Sequence, residues 1–322
     1  MRISRRPLLA LALAAVLAPA QAQTQTYPTQ PVTLVVPFAA GSGTDAVART
    51  VAQKLGERLK QPVVIDNKPG ANAQVAAQFV AKAKPDGYTL FMTTNTSHSA
   101  NPALYKELRY DPVKDFTPVA RVGELPFALA VHPSVPARTL QELIDHAKAN
   151  PGKLSYATPN STSLVAMETI KRIAGVDIAQ IPYKSSPQAM TDLVGGQVQV
   201  YVADLGSGMA MMKTDKVRTL AVTTARESKI LPGVMPVGAT VKGFDLTSWN
   251  GIFGPAGVPK DIVDRLNAEL QIVLAEKDTQ DKLGALGFEV WPSKTPEEFA
   301  QYVRDQLAHW GSLIRQAGVR PE

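Results

Sequence analysis

The chain has 322 residues, of which 45% are hydrophobic and 19% charged, and it contains no cysteine. This length predicts about two domains of roughly 150 residues, and the apolar and charged fractions exclude an intrinsically disordered chain. The absence of cysteine excludes disulfides, thiolate metal sites and thiol nucleophiles.

The N-terminus has the pattern of a secretory signal. Three arginines precede an apolar run at residues 8–17, and residues 20–22 form the A-x-A cleavage site Ala-Gln-Ala. We expect removal of residues 1–22 and a periplasmic mature protein exported by the Sec route. A twin-arginine route and an uncleaved anchor stay open as alternatives. Removing three arginines and no acid lowers the net charge from +6 to +3, which predicts no nucleic-acid partner.

The first part of the mature chain alternates short apolar runs with amphipathic runs, which is typical of α/β sheets. Strands are predicted at residues 32–36, 63–65 and 88–92. Apolar residues at helical spacing predict a helix over residues 47–59 and another near 75–80. A mostly apolar stretch at residues 119–131 is then predicted to be one extended segment.

A second α/β series follows this extended segment. Its strands are predicted at residues 154–157, 178–181, 198–203 and 217–222. Thr139 and Glu142 form a capping box at the start of its first helix. A second extended crossing is predicted between about residues 226 and 250. Two helices follow it, one with an apolar stripe from residue 262 and one that begins at Thr295.

These two crossings predict an α/β protein with two lobes, each a mainly parallel sheet flanked by helices. Lobe 1 is expected to contain residues 23–124 and 227–322, and lobe 2 residues 125–226. The return boundary stays open up to about residue 250. Two lobes joined by two crossover segments enclose a cleft that can close by hinge motion.

The loops that follow the predicted strands indicate a binding site in this cleft, because ligands of open α/β sheets bind beyond the carboxyl ends of the strands. These loops are rich in Ser, Thr, Asn and Gly, and most lead into a helix start. Helix starts present unpaired N–H groups and a partial positive charge, which suits a small anion. Any single loop taken alone is better explained by ordinary helix caps and turns, and only the agreement across both lobes favours a site. The predicted ligand-binding residues are Phe38, Ala40, Gly41, Ser42, Gly43, Thr44, Asp45, Thr94, Asn95, His98, Thr158, Asn160, Ser161, Thr162, Ser163, Lys184 and Asp204.

Four of these residues have two interpretations. Asp45 either caps the helix that begins near residue 46 or orients the loop before it. His98 is either held within its own loop or contacts the ligand, and Phe38 is either a cavity wall or core. Asp204 would oppose a bare anion, unless it pairs with an amino or hydroxyl group of the ligand or with Lys184.

An enzyme is the alternative interpretation of the first loop. Gly41, Gly43 and Ala46 follow a strand and open a helix, and Asp66 ends the next strand, which fits the dinucleotide-binding fingerprint. An exported oxidoreductase or hydrolase therefore stays open. The longer turn at residues 37–40 and the scarcity of free nicotinamide cofactor outside the cytoplasm argue against a dinucleotide site. The sequence also has no G-x-S-x-G, H-E-x-x-H or Walker A motif, so we expect no cofactor, metal or catalytic residues.

Several segments resemble one family. Residues 27–45, 84–90 and 254–259 are similar to the Bug (TctC-like) extracytoplasmic solute receptors of tripartite tricarboxylate transporters. The resemblance covers essentially the whole mature chain. It implies a Venus-flytrap fold of the type II-like periplasmic binding proteins, monomeric, which captures a small organic (di)carboxylate and delivers it to the membrane subunits. It also implies binding loops at residues 38–45 and 158–163 that use N–H groups, hydroxyls and water.

Overall fold

A computed structural model describes residues 27–228 and 230–322; the predicted signal at residues 1–22 lies outside them. Within these residues, no helix combines the length and the apolar character that crossing a membrane requires. The strands in chain order are β1 (Val32–Val36), β2 (Val63–Asn67), β3 (Thr89–Thr94), β4 (Phe116–Leu125), β5 (Phe127–Val131), β6 (Ser155–Thr158), β7 (Ala179–Pro182), β8 (Val200–Asp204), β9 (Arg218–Val222), β10 (Ser248–Pro255) and β11 (Glu289–Val290).

Helices separate most of these strands. A π-helical turn at Thr96–Ala100 runs directly into the third helix. This turn and the helix at Lys277–Ala285 have no counterpart among the predicted elements. The helices in chain order are α1 (Gly43–Leu59), α2 (Gln74–Ala81), α3 (Asn101–Leu104), α4 (Leu140–Ala149), α5 (Ser161–Ala174), α6 (Ser186–Val194), α7 (Leu205–Met212), α8 (Val237–Thr240), α9 (Lys260–Ala275), α10 (Lys277–Ala285) and α11 (Pro296–Ala317).

The strands form two sheets, in the orders β11-β4-β10-β3-β1-β2 and β7-β6-β8-β5-β9. The predicted two-sheet α/β architecture is confirmed, but the expectation of mainly parallel sheets is wrong. Strands joined by β-α-β units pair in parallel, namely β1 with β2 and β3, and β6 with β7 and β8. The crossing strands β5 and β10 pair antiparallel with both of their neighbours. A crossing strand enters its sheet from the other lobe, so no β-α-β unit fixes its direction.

The predicted extended segment at residues 119–131 is two strands in different sheets. The chain passes from β4 to β5 at Pro126, and it rejoins the first sheet at Ser248. The two crossings contact each other, because Thr223 Oγ1 donates to Phe127 O at 3.1 Å and Thr247 Oγ1 to Leu125 O at 3.4 Å. We infer from these contacts that the lobes meet at residues 125–127 and 223–248.

Helix α11 packs on both lobes. Phe299 and Val303 near its start belong to the apolar cluster around Phe91 of the first sheet. Trp310 and Ile314 near its end belong to the cluster on the second sheet. The C-terminal helix therefore connects the two cores, and its Phe299 also packs on Trp249 and Phe253 of the crossing strand β10.

Candidate functional site

A cavity lies between the two sheets, at the end where the parallel strands stop. Its volume is about 20 Å³, which is room for about one water molecule. Loops of both lobes and both crossings contribute to it. The lining residues are Phe38, Ser42, Gly43, Thr44, Thr94, Thr96, Leu125, Phe127, Asn160, Thr162, Ser186, Asp204 and Ser248.

Helix α1 begins at this cavity with a well-defined cap. Ser42 has extended backbone angles (φ −71°, ψ 159°), and its Oγ accepts a hydrogen bond from Asp45 N at 3.3 Å. Asp45 is not the cap. Its Oδ2 accepts from Gly41 N and Arg49 Nε, both at 2.9 Å, and its Oδ1 from Asn67 Nδ2 at 2.8 Å. Asp45 thus orients the loop before the helix, which is the second of its two interpretations.

The surroundings of Asp45 keep its carboxylate ionised. Burial raises its pKa, but the hydrogen bonds from Arg49, Gly41 and Asn67 outweigh burial and hold the pKa below its ordinary value. These bonds use both carboxylate oxygens within the loop. Asp45 does not line the cavity.

Three helices of lobe 2 also begin at the cavity. Asn160 caps α5, since its Oδ1 accepts from Ser163 N at 2.9 Å, and Ser185 caps α6. Asp204 caps α7, since its Oδ1 accepts from Ser207 N at 2.8 Å. The first N–H groups of a helix have no partner within the helix and carry partial positive charge. The four helix starts therefore form an environment that favours an anion.

Asp204 is the one lining residue with a formal charge among the residues that the structure describes. It is 3% exposed, and its Oδ2 accepts from Ser207 Oγ at 2.8 Å. Burial raises its pKa above the ordinary value, although hydrogen bonds from Ser207 lower it. Lys184, its possible partner from the sequence, is exposed and outside the cavity lining. The carboxylate is bound by serine donors instead.

Hydrogen bonds cross the cleft beside the cavity. Asn95 Nδ2 donates to Thr162 Oγ1 at 3.0 Å, and the hydroxyls of Thr96 and Ser161 are 2.8 Å apart. All four residues are buried. The structure is therefore a closed form, in which the loop after β3 contacts the start of α5.

Two glycines bring the helix starts of the two lobes together. A Cβ atom added to Gly206 of α7 would lie 2.5 Å from the Cα of Gly43 in α1. A Cβ atom on Gly43 would lie 2.3 Å from Oδ1 of Asp204 and 2.7 Å from Cδ2 of Leu125. Neither distance is compatible with ordinary van der Waals contact, so this approach requires glycine at both positions.

His98 faces the core of lobe 1. Its ring centroid is 4.1 Å from that of Phe253 and 4.6 Å from that of Phe116, and its Nδ1 is 2.9 Å from Ser97 Oγ. Complete burial lowers its pKa to about 3. His98 is thus a neutral residue held below the loop after β3, in agreement with the first of its two interpretations.

The structure brings eight of the predicted site residues to the cavity and places the others outside its lining. Thr158 Oγ1 donates to Ile181 O, and Ser163 Oγ donates to Val202 O at 2.7 Å, so both hydroxyls support their own lobe. Ala40 is exposed. The predicted residues outside the lining are Ala40, Gly41, Asp45, Asn95, His98, Thr158, Ser161, Ser163 and Lys184.

Five lining residues were not predicted from the sequence. Thr96 and Ser186 belong to loops already assigned to the cleft. Leu125, Phe127 and Ser248 lie on the crossings and line the cavity. The predicted crossing segments could have indicated these residues, because a segment that joins two lobes passes beside the cleft between them.

The residues of the dinucleotide fingerprint have partners of their own. Asp66 forms an ion pair with Lys68 at 3.0 Å. In the loop that contains Gly41 and Gly43, the backbone N–H of Gly41 donates a hydrogen bond to Asp45. Within residues 27–228 and 230–322, no group of His, Asp and Glu side chains is arranged to hold a metal ion.

The fold and this cavity define a two-lobed solute-binding protein, since loops of both lobes surround one site and bond across it. Residues 47–319 match the family described as TctC, tripartite tricarboxylate transporter family receptor. The chain belongs to this receptor family, and the resemblance found in the sequence is confirmed.

Relatives of known sequence or structure support this assignment. A UPF0065 protein of Bordetella bronchiseptica is 37% identical over 99% of this chain and 95% of its own. The structure of R. palustris Rpa4515 with adipate is 34% identical and covers 92% of this chain and 100% of its own, with a TM-score of 0.89. MatC from Rhodopseudomonas palustris with bound malate is 32% identical, with a TM-score of 0.84, and covers 89% of this chain and 100% of its own.

Proposed function

We propose that this receptor captures a small organic dicarboxylate in the cavity between its lobes. The observation that carries the proposal is the convergence of four helix starts on one cavity, with hydroxyl and amide side chains between them. N–H groups and hydroxyls aimed at carboxylate oxygens form charge-assisted hydrogen bonds. Two solved relatives were determined with the dicarboxylates adipate and malate, which supports the same ligand class here.

The ligand is proposed to stabilise the closed form. Thr96 and Thr162 line the cavity and also take part in the hydrogen bonds across the cleft. A ligand that bonds to both walls lowers the free energy of the closed form relative to the open one. The receptor is proposed to be monomeric, to act in the periplasm after removal of residues 1–22, and to pass its ligand unchanged to the membrane subunits of a transporter.

A panel of carboxylates tests this function. Purified protein without residues 1–22 is heated with succinate, malate, aspartate, adipate and benzoate, and the hits are titrated by calorimetry. At a ligand concentration of 100 times Kd, binding to the native state stabilises it by about 2.7 kcal/mol, so the Tm rises. Recovery of intact ligand by mass spectrometry checks that no turnover occurs.

A matched pair of cap variants locates the site. Ser42→Ala removes the cap of α1 at the cavity, and Thr139→Ala removes the cap of α4, which is outside the cavity lining. Each costs about 0.5–2 kcal/mol of stability, but only Ser42→Ala is expected to weaken ligand binding. Equal affinities of both variants and the wild type, or no Tm shift with any carboxylate, would contradict the proposed function.

A further inference from the structure

One lining residue is at odds with a simple anion site. Asp204 brings a buried carboxylate into a cavity whose other polar lining residues carry no formal charge in the described chain. A carboxylate of the ligand placed beside it would be repelled, and the repulsion grows as water is excluded. If Asp204 contacts the ligand, it therefore contacts a part of the ligand other than a carboxylate.

The geometry holds Asp204 as a hydrogen-bond acceptor. The backbone N–H of Ser207 can only donate, so Oδ1 accepts from it at 2.8 Å, and Oδ2 accepts from the Ser207 hydroxyl at 2.8 Å. Asp204 lies at the start of α7, and Gly43 brings the start of α1 against it. The positive ends of two helices thus partly offset the burial that raises its pKa.

Acceptor capacity remains on this carboxylate for a further donor. A carboxylate has about four lone-pair sites, and the donors from Ser207 and Ser186 occupy up to three of them. The backbone of Asp204 is fixed by its pairing with Phe127 in β5 and by its place in the cap. The side chain thus has little freedom to turn away from the ligand.

Resting on the proposed function, the geometry points to Asp204 as the residue that selects the ligand: it accepts a hydrogen bond from a hydroxyl or ammonium group carried beside a carboxylate. The receptor therefore prefers hydroxy- or amino-dicarboxylates to dicarboxylates that have no donor. The helix starts and hydroxyls hold the carboxylate oxygens, while Asp204 recognises the substituent. A ligand with an ammonium group is expected to bind most tightly, because the charge of this group is opposite to that of Asp204.

Three ligands of the same chain length provide the test. Succinate, malate and aspartate differ only in the group on one carbon, which is hydrogen, hydroxyl or ammonium. Their Kd values are measured by calorimetry at pH 7.5, with both enantiomers of malate and aspartate. We expect the better enantiomer of malate or aspartate to bind at least tenfold more tightly than succinate. If four carbons are too short, adipate is compared with its 2-hydroxy and 2-amino derivatives.

Asp204→Asn tests the residue itself. Asparagine has nearly the same shape and is an equally good cap, so the Tm of the free protein checks that α7 remains folded. In the variant, the ratio of the Kd of succinate to the Kd of aspartate should fall at least tenfold. Succinate should bind as tightly as to the wild type, or more tightly. Asp264→Asn, on the exposed face of α9, is the charge-matched control and should leave all three affinities unchanged.

The outcomes separate this inference from the proposed function. If the donor-free dicarboxylate binds the wild type as tightly as its substituted forms, or if Asp204→Asn keeps the preference, Asp204 does not select the ligand although the receptor still binds dicarboxylates. If no carboxylate of the panel binds, the proposed function fails and this inference fails with it.

Discussion

The starts of α1 and α7 meet in the closed cleft, and each has a buried aspartate with a different environment. Asp45 in α1 accepts from Arg49, Gly41 and Asn67, and its pKa is lowered. Asp204 before α7 accepts from Ser207, and its pKa is raised by burial. The first carboxylate has its partners within its own lobe, and the second faces the cavity.

The difference separates a structural carboxylate from one that is available to a ligand. Asp45 follows a glycine-containing loop and Asp204 ends strand β8, but both lie at helix starts, so the sequence does not show which of them faces the cavity. Asp45 is paired with Arg49 and lies outside the cavity lining, so it gains nothing from a ligand. A carboxylate with serine donors alone keeps acceptor capacity at the cavity wall.

The largest expected effect is on stability, in opposite directions for the two aspartates. Asp45→Asn loses charge-assisted hydrogen bonds and should lower the free energy of unfolding at pH 7 by about 3 kcal/mol. Asp204→Asn removes a buried charge and should leave that free energy unchanged or raise it. Urea unfolding of both variants measures the difference.

The pH dependence of these two variants follows from the same shifts. Because the folded pKa of Asp45 is lowered, its contribution is present above the unfolded value of about 3.9 and is lost as the pH falls through the folded pKa. For Asp204 the folded pKa is raised, so its ionisation costs stability as the pH rises through that value. If Asp204→Asn were the more destabilising of the two at pH 7, the contrast between the aspartates would be wrong.

The contact between the two helix starts can be blocked with one methyl group. In Gly43→Ala the new Cβ would overlap Asp204 Oδ1 and Leu125. Overpacking of this kind costs about 1–3 kcal/mol, which would weaken ligand binding by about 5- to 150-fold, because the closed form is opposed. Gly284→Ala in α10, where a Cβ has nothing within 4 Å, is the control and should leave Kd unchanged.

His98 is a third buried titratable group to compare with Asp45 and Asp204, and it has no charged partner. Its pKa falls from an unfolded value of about 6.5 to about 3 in the folded protein. Below pH 6.5 the unfolded state binds one more proton, so His98 removes about 1.4 kcal/mol of stability per pH unit until about pH 3. His98→Phe, which keeps the aromatic contacts, should show a shallower loss between pH 6 and 4.

Urea unfolding across this pH range compares the slopes of the two proteins, so that contributions from the carboxylates cancel. Ligand preference at pH 7.5 should not change in His98→Phe, since the ring does not line the cavity. Equal slopes would mean that His98 titrates normally and is accessible to water.

The smallest effect is expected for the hydrogen bond between Ser161 and Thr96 across the cleft. Ser161→Ala removes one neutral bond, with a net contribution of about 0.5–1.5 kcal/mol, so Kd should rise by up to about tenfold. The ratio of affinities for malate and succinate should stay the same, because Ser161 does not line the cavity. A changed ratio would place Ser161 among the residues that contact the ligand.

Local patterns predicted much of the fold. The strand β1, the helical stripe of α1, the capping box of α4 and the start of α11 after Thr295 lie where the sequence placed them. Strand direction was not predicted correctly, since the periodicity of a crossing strand is the same whether it pairs parallel or antiparallel. The break at Pro126 was missed because apolar residues continue on both sides of it.

The candidate site was predicted at the level of loops. Ser, Thr, Asn and Gly at helix starts indicated the correct loops in both lobes, because capping and N–H presentation are local properties. Which side chains face the cavity depends on packing. The side chain of His98 packs against aromatic residues of the core, while Leu125 and Ser248 on the crossings line the cavity.

The sequence by itself determined the alternation of strands and helices, the two crossings, the family and the helix starts that suit an anion, because these depend on residues close together in the chain. Only the tertiary structure decided that Gly43 meets Gly206, that Asp45 bonds within its loop, and that Asp204 faces the cavity. These outcomes depend on which distant groups fill the space around each residue, and burial and hydrogen-bond partners then set its charge and its role.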